Sequence, residues 1–262
     1  MIYKDDLGKE VNISQFPPRR IISVVPSLSE LLFDLGLKEQ IVGITKFCIF
    51  PEELYKSKPR IGGTKTLHLS KIEALEPDLI LANKEENQKE DIEKLSASFP
   101  TYVSDIKTLE DALKKVDIIS KITNTQKAGR RLLNSIKSGF SSLELFEKRP
   151  KVAYMIWKSP IMVAGGDTYI HDMLEKAGFE NVFKHLSRYP TIEESILADT
   201  NLDYVFLSSE PFPFKKTHIS YFEGINPKAR ATLVDGTMFS WYGSRLSMAA
   251  TYFVNLRREL KI

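Results

Sequence analysis

The sequence predicts an α/β protein made of two Rossmann-like α/β lobes bridged by one long α-helix. Short apolar strands alternate with helix-type patterns along most of the chain, which is how βαβ units and parallel sheets read. One long amphipathic stretch, residues 124–150, interrupts that alternation near the middle. The patterns on its two sides echo each other, as in an internally repeated architecture.

From the N-terminus, residues 4–9 (KDDLGK) read as a turn between two edge strands. Pro17-Pro18 breaks the chain before a buried strand at residues 20–25, RIISVV. Ser27 with Glu30 spells a capping box for a helix that turns Leu31, Leu32 and Leu35 inward and stops at Gly36. A strand follows at 41–45, then a loop at 46–51 carrying Phe47 and Phe50, then a glycine loop at 60–64. Ser70 with Glu73 spells a second box, and that helix ends before Pro77. Residues 78–82 are a strand, residues 84–94 a charged surface helix start, 101–104 a short strand, and Thr108 caps the next helix. In the long stretch, Ala128, Leu132, Ile136, Phe140 and Leu143 recur three or four apart and form one helical stripe. About 25 residues at ~1.5 Å each make a rod of nearly 40 Å. Alone, the stretch reads equally as a strut between lobes or as a core helix of one larger domain.

After Pro150 come strands at 151–157 and 161–164, a helix from Thr168 to Gly178, and a third box at Thr191 with Glu194. A strand at 203–207, an aromatic loop at 210–214, a last strand at 231–234 and a closing helix through Leu246, Ala250, Phe253 and Leu256 complete the chain. Residues 70–81 and 191–207 both read as box, short helix, acidic residue and apolar strand, and Leu31-Leu32 to Gly36 is mirrored by Met173-Leu174 to Gly178. The echo favours two lobes, with boundaries at 1–123, 124–149 for the bridging helix, and 150–262.

A formal net charge of +3 with no arginine-rich run gives no support for nucleic acid as a partner. The single cysteine, Cys48, excludes an intramolecular disulfide. It reads either as a soft-metal ligand or as a buried inert thiol. No dinucleotide loop, phosphate loop or nucleophile elbow occurs, and His68, His171, His185 and His218 are not at metal-ligand spacing. No enzyme chemistry is therefore expected, and no covalently bound cofactor or metal site. No apolar run reaches the roughly 18 residues of a membrane span, and the first 20 residues lack an apolar signal core. This reads as cytoplasmic if Met1 is the native start and as extracytoplasmic if a signal preceded it.

What remains is a set of loops following strands, rich in aromatics, small residues and isolated cations. In open α/β sheets ligands sit at the carboxyl ends of strands, and aromatics with one or two cations suit a flat anionic ligand. The candidates are Lys46, Phe47, Gly63, Lys84, Trp157, Lys158, Phe212, Trp241, Tyr242 and Arg245, with Pro26 and Ser27 where a strand meets a helix N-terminus. The plainer alternative for each aromatic is packing beneath its own loop.

Read in order, residues 20–27 with Glu30-Leu31, 41–43, 72–75 with 77–80, 181–183 after Gly178, and the tail from Trp241 resemble the substrate-binding proteins of ABC importers for vitamin B12 and iron chelates. These are the helical-backbone, class III periplasmic binding proteins, and the resemblance covers nearly the whole chain. It implies two α/β lobes on a rigid helix, small opening motions, a monomer, and a corrinoid, haem or ferric siderophore held between the lobes. It places Phe47 and Phe50 where the vitamin B12 binders have tyrosines, and Asn83 where they have a cleft tryptophan, so the corrin-stacking set is incomplete. It also implies that Trp241 lines the cleft and that Arg245 pairs with an anionic chelate. Docking to ABC permease subunits is implied through a glutamate on each lobe. Glu85, Glu86 or Glu90 is available on the first; Ser240 stands at the second position, with Glu223 as substitute. A cytoplasmic metal-chelate carrier and an enzyme using the cleft are the other readings.

Overall fold

The computed structural model describes residues 1–143 and 148–262. The chain forms two compact units. The first comprises residues 1–106, 110–135 and 242–245, and the second residues 107–109, 136–241 and 246–262.

The first unit opens with the expected hairpin, Ile2–Lys4 against Glu10–Asn12, antiparallel with Tyr3 opposite Val11. Asp5 Oδ1 accepts from the amides of Leu7 and Lys9 and closes its turn. The main sheet is four-stranded, in the order Ile41–Ile44, Ile21–Ser23, Leu79–Asn83, Thr101–Ser104. Every pairing in it is parallel. All five residues of Leu79–Asn83 are buried, as expected where helices cover both faces of a parallel sheet.

The second unit carries a five-stranded sheet. Lys151–Trp157 pairs in parallel with Tyr204–Ser208, which pairs in parallel with Arg230–Val234. On its other side Lys151–Trp157 meets Glu180–Asn181 in parallel near its start and Met162–Val163 antiparallel near its end. One face buries Ala153, Met155, Val205 and Leu207 against Phe222 and Leu197. On the other, Phe206 stacks edge-on with Phe179 at 4.9 Å, and Phe239 meets Tyr154 at 5.4 Å and Phe253 at 4.9 Å. The alternation along each strand assigns the two faces.

Taken in chain order, the parallel strands of each sheet are arranged second, first, third, fourth. Both sequence echoes fall on equivalent elements. Helices Pro26–Asp34 and Tyr169–Lys176 follow the first strand of their units, and helices Leu69–Ala74 and Glu194–Asp199 precede the third.

Several local expectations are corrected. The long helix runs over Gln126–Ser141, 16 residues or about 24 Å, and residues 148–150 carry no regular structure. Residues 144–147 of the expected strut lie outside the described residues. The chain passes from the first unit to the second within this helix, after Ser135. None of the three capping boxes forms. Pro26 occupies the first turn of its helix, Val25 is the cap residue, and Ser27 and Glu30 lie inside the helix. His68 and Glu193 take the cap positions of the other two helices, without side-chain caps. Thr168 does cap its helix, accepting from the His171 amide. The charged helix begins at Lys89, after a turn over residues 84–87. Helices Glu52–Ser57 and Ile219–Ile225, and the small Gly62–Gly63/Thr66–Leu67 hairpin, had no clear sequence signal.

Candidate functional site

In each sheet the strand order reverses beside the first strand, and such a reversal is where open α/β sheets bind ligands. The loops leaving the carboxyl ends of the strands around that reversal therefore define a candidate surface on each unit.

On the first unit the loop after Ile41–Ile44 exposes three apolar side chains, Phe47 at 49%, Ile49 at 49% and Phe50 at 41%. Exposed apolar residues gathered on one short loop mark a contact surface. The Lys46 ammonium lies 5.1 Å from the Phe47 ring centroid. Gly63 makes this packing possible, since a Cβ there would lie 3.1 Å from the Phe47 ring and 3.3 Å from Lys46 Cε. Ile49 was not among the sequence candidates; its exposure beside two phenylalanines becomes visible only in the folded loop. Cys48, between them, is buried, 3.0 Å from Ser29 Oγ and 3.2 Å from Thr45 Oγ1. Burial raises its thiol pKa. This is the inert-thiol reading, not the metal-ligand one.

Arg245, expected to pair with an anionic chelate, forms an ion pair with Glu30 within the first unit. Its guanidinium meets both carboxylate oxygens of Glu30, with Nε 3.0 Å from Oε2, and both residues are buried. The same guanidinium lies 4.6 Å from the Phe50 ring centroid. Burial raises the Glu30 pKa, and the bond and charge of Arg245 oppose that shift without cancelling it. Gly243, at φ +105°, lets the segment 242–245 lie on this unit's first helix, where a Cβ would sit 3.2 Å from Leu31 Cβ and 3.4 Å from Ser27 O. Pro26 and Ser27 are buried there.

Trp241 and Tyr242 are also buried, at 6% and 5% exposed. Lys84 forms an ion pair with Asp105 at 2.6 Å. Asn83 is buried and organises its own loop. It accepts from the amides of Glu85 and Glu86 and donates to Ser104 Oγ. Asn87 joins this network by accepting from the Asn83 amide and donating to the carbonyls of Val24 and Thr64. An asparagine amide supplies both the donor and the acceptor that these bonds use.

On the second unit Trp157 is 39% exposed and meets Phe212 edge-on at 5.5 Å. Phe212 continues to Phe214 at 4.7 Å, Phe214 to Phe222 at 5.7 Å, and Phe222 to Tyr221 at 5.1 Å. Lys158 Nζ lies 4.4 Å from the Tyr221 ring centroid, and the Tyr221 hydroxyl donates to Glu194. Sequence reasoning singled out Trp157, Lys158 and Phe212 but missed Tyr221, whose helix it did not anticipate, and Glu194, which it used as a capping acid. His218 Nδ1 accepts from the Lys215 amide.

Of the proposed docking acids, Glu90 is exposed on the first turn of its helix, and Glu86 is half-buried. Glu223 is half-buried and accepts from the Ala231 amide at 3.4 Å. Ser240 donates to Glu210 and to the Gly236 carbonyl. Among the described residues no cluster of three or more His, Cys, Asp or Glu could hold a metal ion, and no helix is long and apolar enough to cross a membrane.

Two α/β units, each with parallel strands in the same order and exposed rings on its strand-end loops, are consistent in class with an α/β solute-binding protein. The chain belongs to the periplasmic binding protein family, whose pattern matches residues 21–223. It is 28% identical to a vitamin B12-binding protein of Vibrio vulnificus, over 71% of each chain. It is 24% identical to an uncharacterised ABC transporter substrate-binding lipoprotein of Bacillus subtilis, over 77% of this chain and 67% of the relative. Among solved structures, the periplasmic heme-binding protein BhuT in complex with two hemes aligns with a TM-score of 0.78, at 23% identity, over 92% of this chain and 97% of that one. At that identity the match speaks for the fold.

Proposed function

We propose that this protein captures a metal chelate, a corrinoid, haem or ferric siderophore, on the strand-end loops of its units and delivers it to an ABC importer. The observation that carries this reading is the exposure of Phe47, Phe50 and Trp157 at those loops in a member of this family. Flat, rigid rings give a large macrocycle or chelate contact area at low entropic cost. The vitamin B12 binding of a relative and the lipoprotein description of another support the ligand class and the importer role. Ligand contact is assigned to Lys46, Phe47, Phe50, Trp157, Lys158 and Phe212, with Gly63 as the space that seats Phe47. Pro26, Ser27, Trp241 and Tyr242 hold the frame, Arg245 acts through Phe50, and Lys84 anchors Asp105. Glu90 is the exposed acid best suited to meet a permease arginine, with Glu86 and Glu223 as weaker candidates.

Fluorescence titration with cyanocobalamin, haemin and ferric siderophores tests this. Trp157 and Trp241 are the only tryptophans, and Trp157 is the exposed one. Saturable quenching is expected, lost in Trp157→Phe and retained in Trp241→Phe. Absence of quenching by every chelate, with calorimetry equally silent, would remove the chelate-binding reading.

A further inference from the structure

We infer that Lys158, positioned by Tyr221 and Glu194, forms an anion subsite beside the Trp157–Phe212 rings, so that the preferred chelate carries a peripheral negative charge. This deepens the function proposed above and rests on it.

The argument starts from how the ammonium is held. Lys158 directly follows Trp157 at the carboxyl end of the second unit's first strand, and its Nζ stands 4.4 Å from the Tyr221 centroid. A ring face attracts the charge of an ammonium but leaves most of its three N–H donors without acceptors. No carboxylate pairs with Lys158 among the described residues, in contrast to Arg149 with Glu175 or Lys184 with Glu180 in the same unit. The nearby acid, Glu194, instead takes the Tyr221 hydroxyl, which increases the electron density of the ring that Lys158 faces. That bond pushes the Tyr221 pKa up to about 12, so the hydroxyl stays a donor throughout the physiological range. The ring row from Trp157 through Phe212, Phe214 and Phe222 to Tyr221 makes the cation and the apolar surface parts of one packed cluster. On the first unit, by contrast, the Arg245 charge is met by Glu30. A half-buried lysine whose ammonium rests on a ring beside an exposed indole suits a ligand with an apolar face and a carboxylate or catecholate oxygen at its edge.

The test titrates the whole protein with four probes, two anionic (haemin and ferric enterobactin) and two of zero net charge (cyanocobalamin and ferrichrome). The tightest binder is expected to be anionic. Lys158→Met should weaken that probe at least tenfold and the neutral probes less than threefold. Tyr221→Phe, which keeps the ring and loses the Glu194 bond, should weaken anionic probes about threefold, and Tyr221→Leu should approach Lys158→Met. A merely structural Tyr221 would lower the melting temperature and affect all probes alike. If a neutral probe binds tightest, or Lys158→Met weakens all binders equally, the anion subsite is overturned while chelate capture stands. If none of the four binds, the function proposed above fails, and this inference with it.

Discussion

The first unit's strand-end surface exposes Phe47, Ile49 and Phe50 and keeps its buried arginine in contact with Glu30. The second unit's surface exposes Trp157 and holds Lys158 over a neutral ring whose hydroxyl is tied to Glu194. The strand order is the same in both, so the difference lies in where the acids go. In one unit Glu30 neutralises Arg245 directly; in the other Glu194 engages the phenol that faces Lys158. The same α/β frame thus presents, on the first unit, exposed rings with Lys46 over Phe47 and an arginine already paired with Glu30, and on the second an exposed indole with Lys158 over a phenol tied to Glu194.

Four perturbations sharpen this comparison. The largest effect is expected at Trp241, whose burial makes Trp241→Ala a large-to-small truncation costing about 4 kcal/mol. Guanidinium denaturation measures it, and a loss below about 1 kcal/mol would put Trp241 back on a ligand-facing surface. Next is the first unit's ion pair. Glu30→Gln leaves a buried guanidinium without its counter-charge and should cost about 3 kcal/mol, whereas the double replacement Glu30→Leu with Arg245→Met should cost less than either single change. Additive losses in that cycle would mean the two side chains do not act as a pair.

The same pair has a pH signature. The Glu30 pKa is raised in the folded state, so between the unfolded carboxyl value of about 4.3 and that raised value the folded protein binds more protons than the unfolded chain. Stability from this group is therefore fully present below the unfolded value and falls as pH rises through the folded one. The stability of the wild type relative to Glu30→Gln should decline across that interval, and a rising difference would reverse the assigned cause. Smaller again are the exposed rings. Trp157→Ala and Phe50→Ala should each weaken chelate binding about tenfold, or about 1.4 kcal/mol, with little change in melting temperature. An effect confined to one of them would assign the ligand to one unit's surface.

Much of this fold can be read from sequence because its strands are short, apolar runs bounded by turn residues. The strand at Lys151–Trp157 matches its expected bounds, and the hairpin, Gly36 and Gly178 act as anticipated, the glycines adopting φ of +87° and +77°. Local features failed where a residue had two competing partners. Glu30 and Glu194 have the spacing of capping acids, yet each is claimed by a tertiary partner, Arg245 and Tyr221. Proline at the first turn of the first helix further removes the need for the Ser27 cap. For the site, the loops and most of their aromatics were legible as residue types following strands. Whether a ring faces solvent or core was not, which is why Trp157 and Trp241 looked alike.

The sequence by itself determined the α/β class and the repeated half, because periodicity and strand–helix alternation are encoded over neighbouring residues, and it pointed to the family through ordered motifs that resemble it. Only the tertiary structure decided that Arg245 meets Glu30, 215 residues away in the chain, that Trp241 is buried, and that Lys158 rests on Tyr221. Those contacts depend on which elements pack together, and local residue preferences carry no information about partners so distant.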